Sequence, residues 1–157
     1  MYVPRAERVI KIPPSMMLQS WMGSDFTNDD LVRESSMVND YTHELKAVEE
    51  INGLRCTTIT LIPKKGAAVT WGRIEASISI DPFAPVRFRY FNRRDELRKE
   101  MVMSEIKEMG GRRLPVVWTM RTVGKEGHAT VMYLQNIEFN AQLPNRVFTQ
   151  QFLRNPR

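Results

Sequence analysis

The chain has 157 residues, 42% of them hydrophobic, with a formal net charge of +5 and one cysteine. A single domain of this size buries roughly 70% of its unfolded surface. The lone Cys56 excludes an intramolecular disulfide and a cysteine-based metal site, and no run of about 18 apolar residues offers a membrane-spanning helix. The first residues do not read as a signal peptide, which needs a charged segment followed by an apolar one. Charge is uneven: residues 1–80 carry nine Lys/Arg and ten Asp/Glu, and residues 81–157 carry fourteen and eight. A basic half suits an anionic partner, and equally a solvated sheet face.

In chain order, Tyr2-Val3, a turn over 4–7 and Arg8–Ile12 read as a hairpin stub that Pro13-Pro14 ends, since proline cannot donate to a ladder. From Gln19 to Leu31 the pattern is turn-like. Gly23-Ser24-Asp25 is turn chemistry, and Thr27 followed by Asp30 predicts a helix N-cap with a reciprocal acid and a short helix over about 28–34. Trp21, Met22 and Phe26 are large apolar groups on this polar segment. They are expected to bury as a plug over the core, Trp21 against the concave face of a sheet. Capping explains Asp25, Asp29 and Asp30 better than calcium, whose ligands alternate along a loop.

Strands follow. Tyr41, Leu45, Ala47 and Ile51 share one parity, which predicts a half-buried strand. Asn52-Gly53 is a strong hairpin signal, and Leu54–Ile62 returns as the partner. Ile74, Ala76, Ile78 and Ile80 alternate with polar residues over Arg73–Ile80, and Val86, Phe88 and Tyr90 alternate with Arg87 and Arg89. Leu97–Met109 favours helix by composition, but regularly spaced strands on either side predict a long strand. Leu114–Thr122 puts Val116, Trp118 and Met120 on one face. Thr130–Asn140 is the last predicted strand, with Val131, Tyr133, Ile137 and Phe139 in phase. A short helical turn after Leu143 is expected to pack down through Val147, Phe148, Phe152 and Leu153. The expected fold is mainly β: a curved antiparallel sheet of seven or eight meandering strands, with one or two short helices over its concave face.

No nucleotide-binding, zinc-protease or nucleophile-elbow motif is present. His43 and His128 lack a nearby nucleophile or orienting acid and read as structural. No catalytic, cofactor-binding or metal residue is assigned. The ten methionines are the more telling signal, because methionine is flexible and polarizable and suits adaptable apolar surfaces. With the sheet's apolar face they point to a lipid-accepting concavity. Its expected lining is Ile74, Ile78, Phe88, Tyr90, Met101, Met103, Trp118, Met120 and Tyr133, plugged by Trp21, Met22 and Phe26.

Residues 21–31, Trp-Met-Gly-Ser-Asp-Phe-Thr-Asn-Asp-Asp-Leu, resemble the signature of bacterial outer-membrane lipoprotein-sorting-like proteins, which have the LolA/LolB-type fold. Weaker matching pieces are Tyr-Val-Pro-Arg-Ala-Glu-Arg-Val (2–9), Gly-Gly-Arg-Arg-Leu-Pro (110–115) and Leu-Pro-Asn-Arg-Val-Phe-Thr (143–149), so the resemblance runs from about Tyr2 to Leu153. It implies an open or incomplete barrel around an apolar cavity. It also implies a periplasmic, non-catalytic carrier of lipid or lipoprotein acyl chains, with an envelope transporter as a partner and peripheral contact with a membrane. The family carries a signal peptide and several strands ahead of this point, so residues 1–157 are expected to be a single unit corresponding to the C-terminal part of the half-barrel. An unpaired edge at the stub then predicts a twofold homodimer.

Two rival functions remain at this level. One is a protein–protein or sensor module of an envelope exporter or sigma-regulatory system. The other is an anionic-polymer binder using Arg87, Arg89, Arg93, Arg94, Arg112 and Arg113, which would lose affinity steeply with salt; nucleic acid is not expected as a partner.

Overall fold

The structure, a computed structural model, describes residues 2–3, 8–9, 13, 16–32 and 36–155. Strands β1 (Tyr2–Val3) and β2 (Arg8–Val9) pair antiparallel as a small separate sheet. The predicted turn at 4–7 and the stub's end at 10–12 lie outside the described residues. Helices α1 (Asn28–Val32) and α2 (Ser36–Asn39) lead into β3 (Tyr41–Ile51), β4 (Leu54–Pro63), β5 (Arg73–Ser79), β6 (Ala84–Phe91), β7 (Leu97–Met109), β8 (Arg112–Thr122) and β9 (Thr130–Tyr133). These seven form one antiparallel meander in sequence order, curved and unclosed, the open half-barrel expected from the sequence. A 3₁₀ helix (Asn145–Phe148) and α3 (Gln150–Arg154) follow.

The inner face is assembled row by row. Leu45, Ile59, Ala76, Phe88, Met101 and Met120 stand directly opposite one another across β3 to β8. Beside them run Leu61, Ile74, Tyr90 and Lys99 on β4 to β7, and Met103, Trp118 and Met132 on β7 to β9. Cross-strand pairs of this kind are the unit of sheet stabilisation. The main core is therefore the inner face itself, joined by Phe26, Tyr41 and Val69. The long β7 forms as predicted. Its Met101 and Met103 need the period of a strand to reach one face, and pairing on both sides overrides helical propensity.

The outer face is a lattice of polar partners. Glu75 is held between Lys46 (3.1 Å) and Arg73, and Arg73 also reaches Asp95 at 2.7 Å. Burial alone would raise the Glu75 carboxyl, but the Lys46 hydrogen bond and charge, with those of Arg73, outweigh it and hold it below the usual carboxylate range. Buried Thr58 donates to the half-exposed Glu49 and shares a hydrogen bond with the fully buried Ser77, both at 2.8 Å. Cys56 is fully buried with Ile51 and Val86. Burial pushes its thiol pKa up, so it is a small core residue and a poor nucleophile.

Four expectations are corrected. In β3 the parity breaks at a bulge between Leu45 and Val48; Leu45 and Ala47 are exposed, and only Tyr41 and Ile51 at the strand's ends are buried. The bulge adds one residue to this strand and reverses the phase beyond it, which places Ile51 with Cys56 and Val86; Leu45 lies before the bulge on the inner row and is exposed because β3 is the sheet's edge strand. Next, β9 stops at Tyr133 and its other neighbour is absent among the described residues. Its inward residues are Thr130 and Met132, not Val131 and Tyr133. The C-terminal helical turns form, but Phe148 and Leu153 remain exposed. The fourth concerns the plug.

Candidate functional site

The loop over 16–32 is built almost wholly from its own polar groups. Met22 and Gly23 take left-handed backbone (φ 53° and 79°). Ser24 Oγ donates to the Trp21 carbonyl at 2.6 Å and accepts from the Phe26 N–H at 3.2 Å. The Trp21 N–H donates to the Phe26 carbonyl at 2.7 Å. Asp30 Oδ2 accepts from the Thr27 N–H (2.7 Å) and hydroxyl (2.8 Å), while Thr27 Oγ1 accepts from the Asp30 N–H at 3.3 Å. This is the reciprocal cap the sequence predicted, with Asp in the place of the usual Glu.

Two acids then fasten the loop to the sheet. Asp25 accepts from the Thr122 hydroxyl on β8 and the Thr130 hydroxyl on β9, each at 2.9 Å, and its own N–H donates to Thr130 Oγ1 at 2.8 Å. Asp30 forms an ion pair with Lys99 Nζ on β7 at 2.7 Å, with side chains only 10% and 7% exposed. The pair is covered by the Trp71 ring, 5.8 Å from Nζ. The signature is thus a clamp across one end of strands β7 to β9.

Between clamp and sheet lies a cavity of about 480 Å³. Its floor is the inner face: Ile74, Phe88, Tyr90, Met101, Met103, Trp118, Met120 and Met132. Phe26, Asp29, Asp30 and Leu31 close one side, Met37 and Tyr41 another, and Val69, Thr70 and Trp71 from the β4–β5 connection form a third. Tyr90 is in ring contact with Trp71 (centroids 5.3 Å) and Phe88 (6.3 Å). Gly72 fixes the Trp71 wall. A Cβ there would lie 2.5 Å from the Asn92 carbonyl oxygen, and the Gly72 N–H donates to the Phe91 carbonyl at 2.9 Å. Only glycine allows that approach.

Eight of the twelve expected site residues line the cavity: Phe26, Ile74, Phe88, Tyr90, Met101, Met103, Trp118 and Met120. Ile78 packs against the same core without lining it. The other three are placed elsewhere. Trp21 is 40% exposed and Met22 is 85% exposed, because both sit in the tight turn closed by Ser24, with Met22 in left-handed backbone, and of the three only Phe26 lines the space. Tyr133 is on the outward parity of β9 and 66% exposed. The sequence reading did not include Tyr41, Trp71, Met132 or Met37. Trp71 carried a usable signal, the apolar run Ala-Ala-Val-Thr-Trp over 67–71, too long for a bare turn between Gly66 and Gly72. Lys99 and Asp30 are far apart in sequence, and no local pattern joins them.

No helix among the described residues is long and apolar enough to cross a membrane. A family model described as "-like: Uncharacterized protein" matches residues 1–155. The chain belongs to that family. No curated protein matches it. Among solved structures, a DUF1329 family protein from Desulfovibrio piger aligns with a TM-score of 0.87 at 25% identity, covering 97% of this chain and 62% of that one. A domain described as an outer membrane lipoprotein-sorting protein, from Vibrio parahaemolyticus, aligns at 0.83 and 19% identity over 98% and 64%. A LolA superfamily protein from Nitrosomonas europaea aligns at 0.70 and 19% identity over 90% and 66%. The chain therefore spans less than two thirds of the length of each. Its fold is that of the lipoprotein-sorting-like, LolA-type proteins to which the signature pointed.

Proposed function

We propose that the protein is a periplasmic, non-catalytic binder and carrier of acyl chains, presented by a lipid or a lipoprotein of the bacterial envelope. The observation that carries this reading is the cavity of about 480 Å³, floored by four methionines and four other apolar or aromatic side chains. Its size falls within the range of roughly 300–1,000 Å³ typical of small-ligand sites, and methionine lets the floor adapt to a flexible chain. Each buried CH₂ contributes about 0.8 kcal/mol, so a few methylenes are enough to compete with the side chains that would otherwise relax into the space. The LolA-type neighbours support the same class of function.

The anionic-polymer alternative is poorly served by the outer face. Arg87 is paired with Glu49 at 3.2 Å and Arg89 with Glu100 at 3.0 Å, which offsets the charge that a polyanion would need. Delivery to an envelope transporter, and twofold association through the open sheet edge at β3, where Leu45 and Val48 are exposed, belong to the same proposal.

Native mass spectrometry of the protein purified from a bacterial periplasm tests it. Co-purified mass matching acylated species, removed by delipidation and restored by adding acyl ligand, is the expected result, and the same spectrum reports a dimer. A spectrum free of adducts, with no uptake of any acyl probe, would overturn the reading.

A further inference from the structure

We infer that a second, basic cavity beside Trp71 binds a phosphate head group, which makes the ligand a phosphate-headed lipid; the inference rests on the acyl-binding reading above. This space, of about 310 Å³, lies between the β4–β5 connection and the β6–β7 turn. It shares Val69 and Trp71 with the apolar cavity, so a common wall separates the two. Among the described residues, the charged side chains lining it are Lys64 and Arg93, and both are cations. Gly66 and Gly72 also line it and bring backbone without side-chain bulk.

Both cations are held in place and keep donors for a ligand. The Lys64 ammonium donates to the Asn39 carbonyl at 2.7 Å, which uses one of its hydrogens. Arg93 sits in a turn that Asn92 builds, its Oδ1 accepting from the Arg94 and Glu96 N–H groups at 2.9 and 3.0 Å. That turn is pressed against Gly72, where a Cβ would lie 2.8 Å from the Arg93 Cα. The carboxylates of the same turn are engaged elsewhere, Asp95 with Arg73 and Glu96 with the Asn92 amide, each at 2.7 Å. A phosphate matches this pair: its oxygens suit the guanidinium fork, its charge suits two cations, and such bonds are stronger than those between neutral groups. With the chain on the methionine floor of one cavity, a head passing the Thr70–Trp71 edge enters the other. An ester or amide head brings no charge for the pair to hold.

The test uses the intact chain and follows the fluorescence of Trp71, in the wall common to both cavities, and of Trp118. An alkyl phosphate and a monoacylglycerol of equal chain length are titrated below their aggregation limits, with inorganic phosphate as the probe that has no chain. The alkyl phosphate is expected to bind at least about tenfold more tightly than the monoacylglycerol, the gain from hydrogen bonds to a charged group. Lys64→Gln combined with Arg93→Gln, both at exposed positions, should bring the two affinities together. Arg94→Gln removes an exposed cation that does not line the cavity and should preserve the difference. Inorganic phosphate is expected to displace the alkyl phosphate only in large excess; equally tight binding of both would overturn the head-group assignment in favour of a free phosphate site. Equal affinity of the parent chain for the two amphiphiles, a difference that survives the double change, or one lost as fully in Arg94→Gln would overturn the inference and leave acyl binding standing. Failure of both amphiphiles to bind would overturn the acyl-binding reading and this inference with it.

Discussion

The Asp30–Lys99 pair is the contact on which the roof of the cavity depends, and a double-mutant cycle on it has a calculable outcome. At 2.7 Å, with both side chains nearly solvent-free, removing one partner leaves an uncompensated buried charge, a loss of about 3–5 kcal/mol. The two single changes should not be equal. Lys99→Met leaves Asp30 still accepting from the Thr27 N–H and hydroxyl, so its cost belongs near about 3 kcal/mol. Asp30→Asn weakens the helix cap as well and leaves an ammonium with only an aromatic face at 5.8 Å, which places it near about 5 kcal/mol. The double variant has no stranded charge and should cost well below the sum of the singles. A coupling of at least about 2 kcal/mol is expected for residues in direct contact. Urea unfolding read through the midpoint at constant slope measures all three differences. Single changes each within about 1 kcal/mol of the parent that simply add would refute the reasoning, because that is how a solvent-exposed pair behaves.

Phe26→Ala should cost about 3–5 kcal/mol, since Phe26 is 6% exposed and its neighbours border a space that cannot collapse. Trp21→Ala should cost about 1 kcal/mol or less, as expected for a surface substitution; parallel urea curves compare them. Thr27→Ala should lose about 1 kcal/mol and Thr27→Ser very little, because serine keeps the cap acceptor; thermal melts of the two variants check this. The depressed Glu75 carboxyl contributes stability that is present above an ordinary unfolded carboxyl pKa of about 4.3 and is lost as pH falls through its lower folded value. The stability difference between the parent and Glu75→Gln should therefore be constant near neutrality and shrink in acid, as read from unfolding midpoints across pH. Gly72→Ala should shift the Trp71 wall and quench or blue-shift the cavity tryptophan signal, since its Cβ would overlap the Asn92 carbonyl.

Much of this architecture is written in local chemistry. Asn52-Gly53 has positive φ at both positions (52° and 77°), as a tight hairpin turn requires. The Thr27–Asp30 cap involves groups three residues apart, and the alternation of Ile74 and Ala76 and of Phe88 and Tyr90 sorts inner from outer face locally; past the register shift between Ser77 and Ile78 it fails, leaving Ile80 exposed and Val86 packed with Ile51 and Cys56. Short-range sterics and hydrogen bonding decide such features, so the residues themselves determine them. The resemblance of 21–31 to a known signature likewise named the fold before its geometry was in view.

What the sequence left open depends on partners far along the chain. A bulge in β3 reversed the phase of an otherwise regular alternation, and the register of β9 on β8, which sets Met132 opposite Trp118, decided which residues of β9 face inward. The exposure of Trp21 accompanies a turn in which the Ser24 hydroxyl ties the Trp21 carbonyl to the Phe26 N–H. Hydrophobicity alone assigns Trp21, Met22 and Phe26 to the same place, and only the packed loop separates them. The charge character of the cavity was also beyond local pattern, because Asp30 and Lys99 meet only when the clamp of Asp25 on Thr122 and Thr130 draws the loop across the sheet. Sequence fixes which groups can be buried, but a buried charge acquires its meaning from the one partner that tertiary structure brings within hydrogen-bond reach.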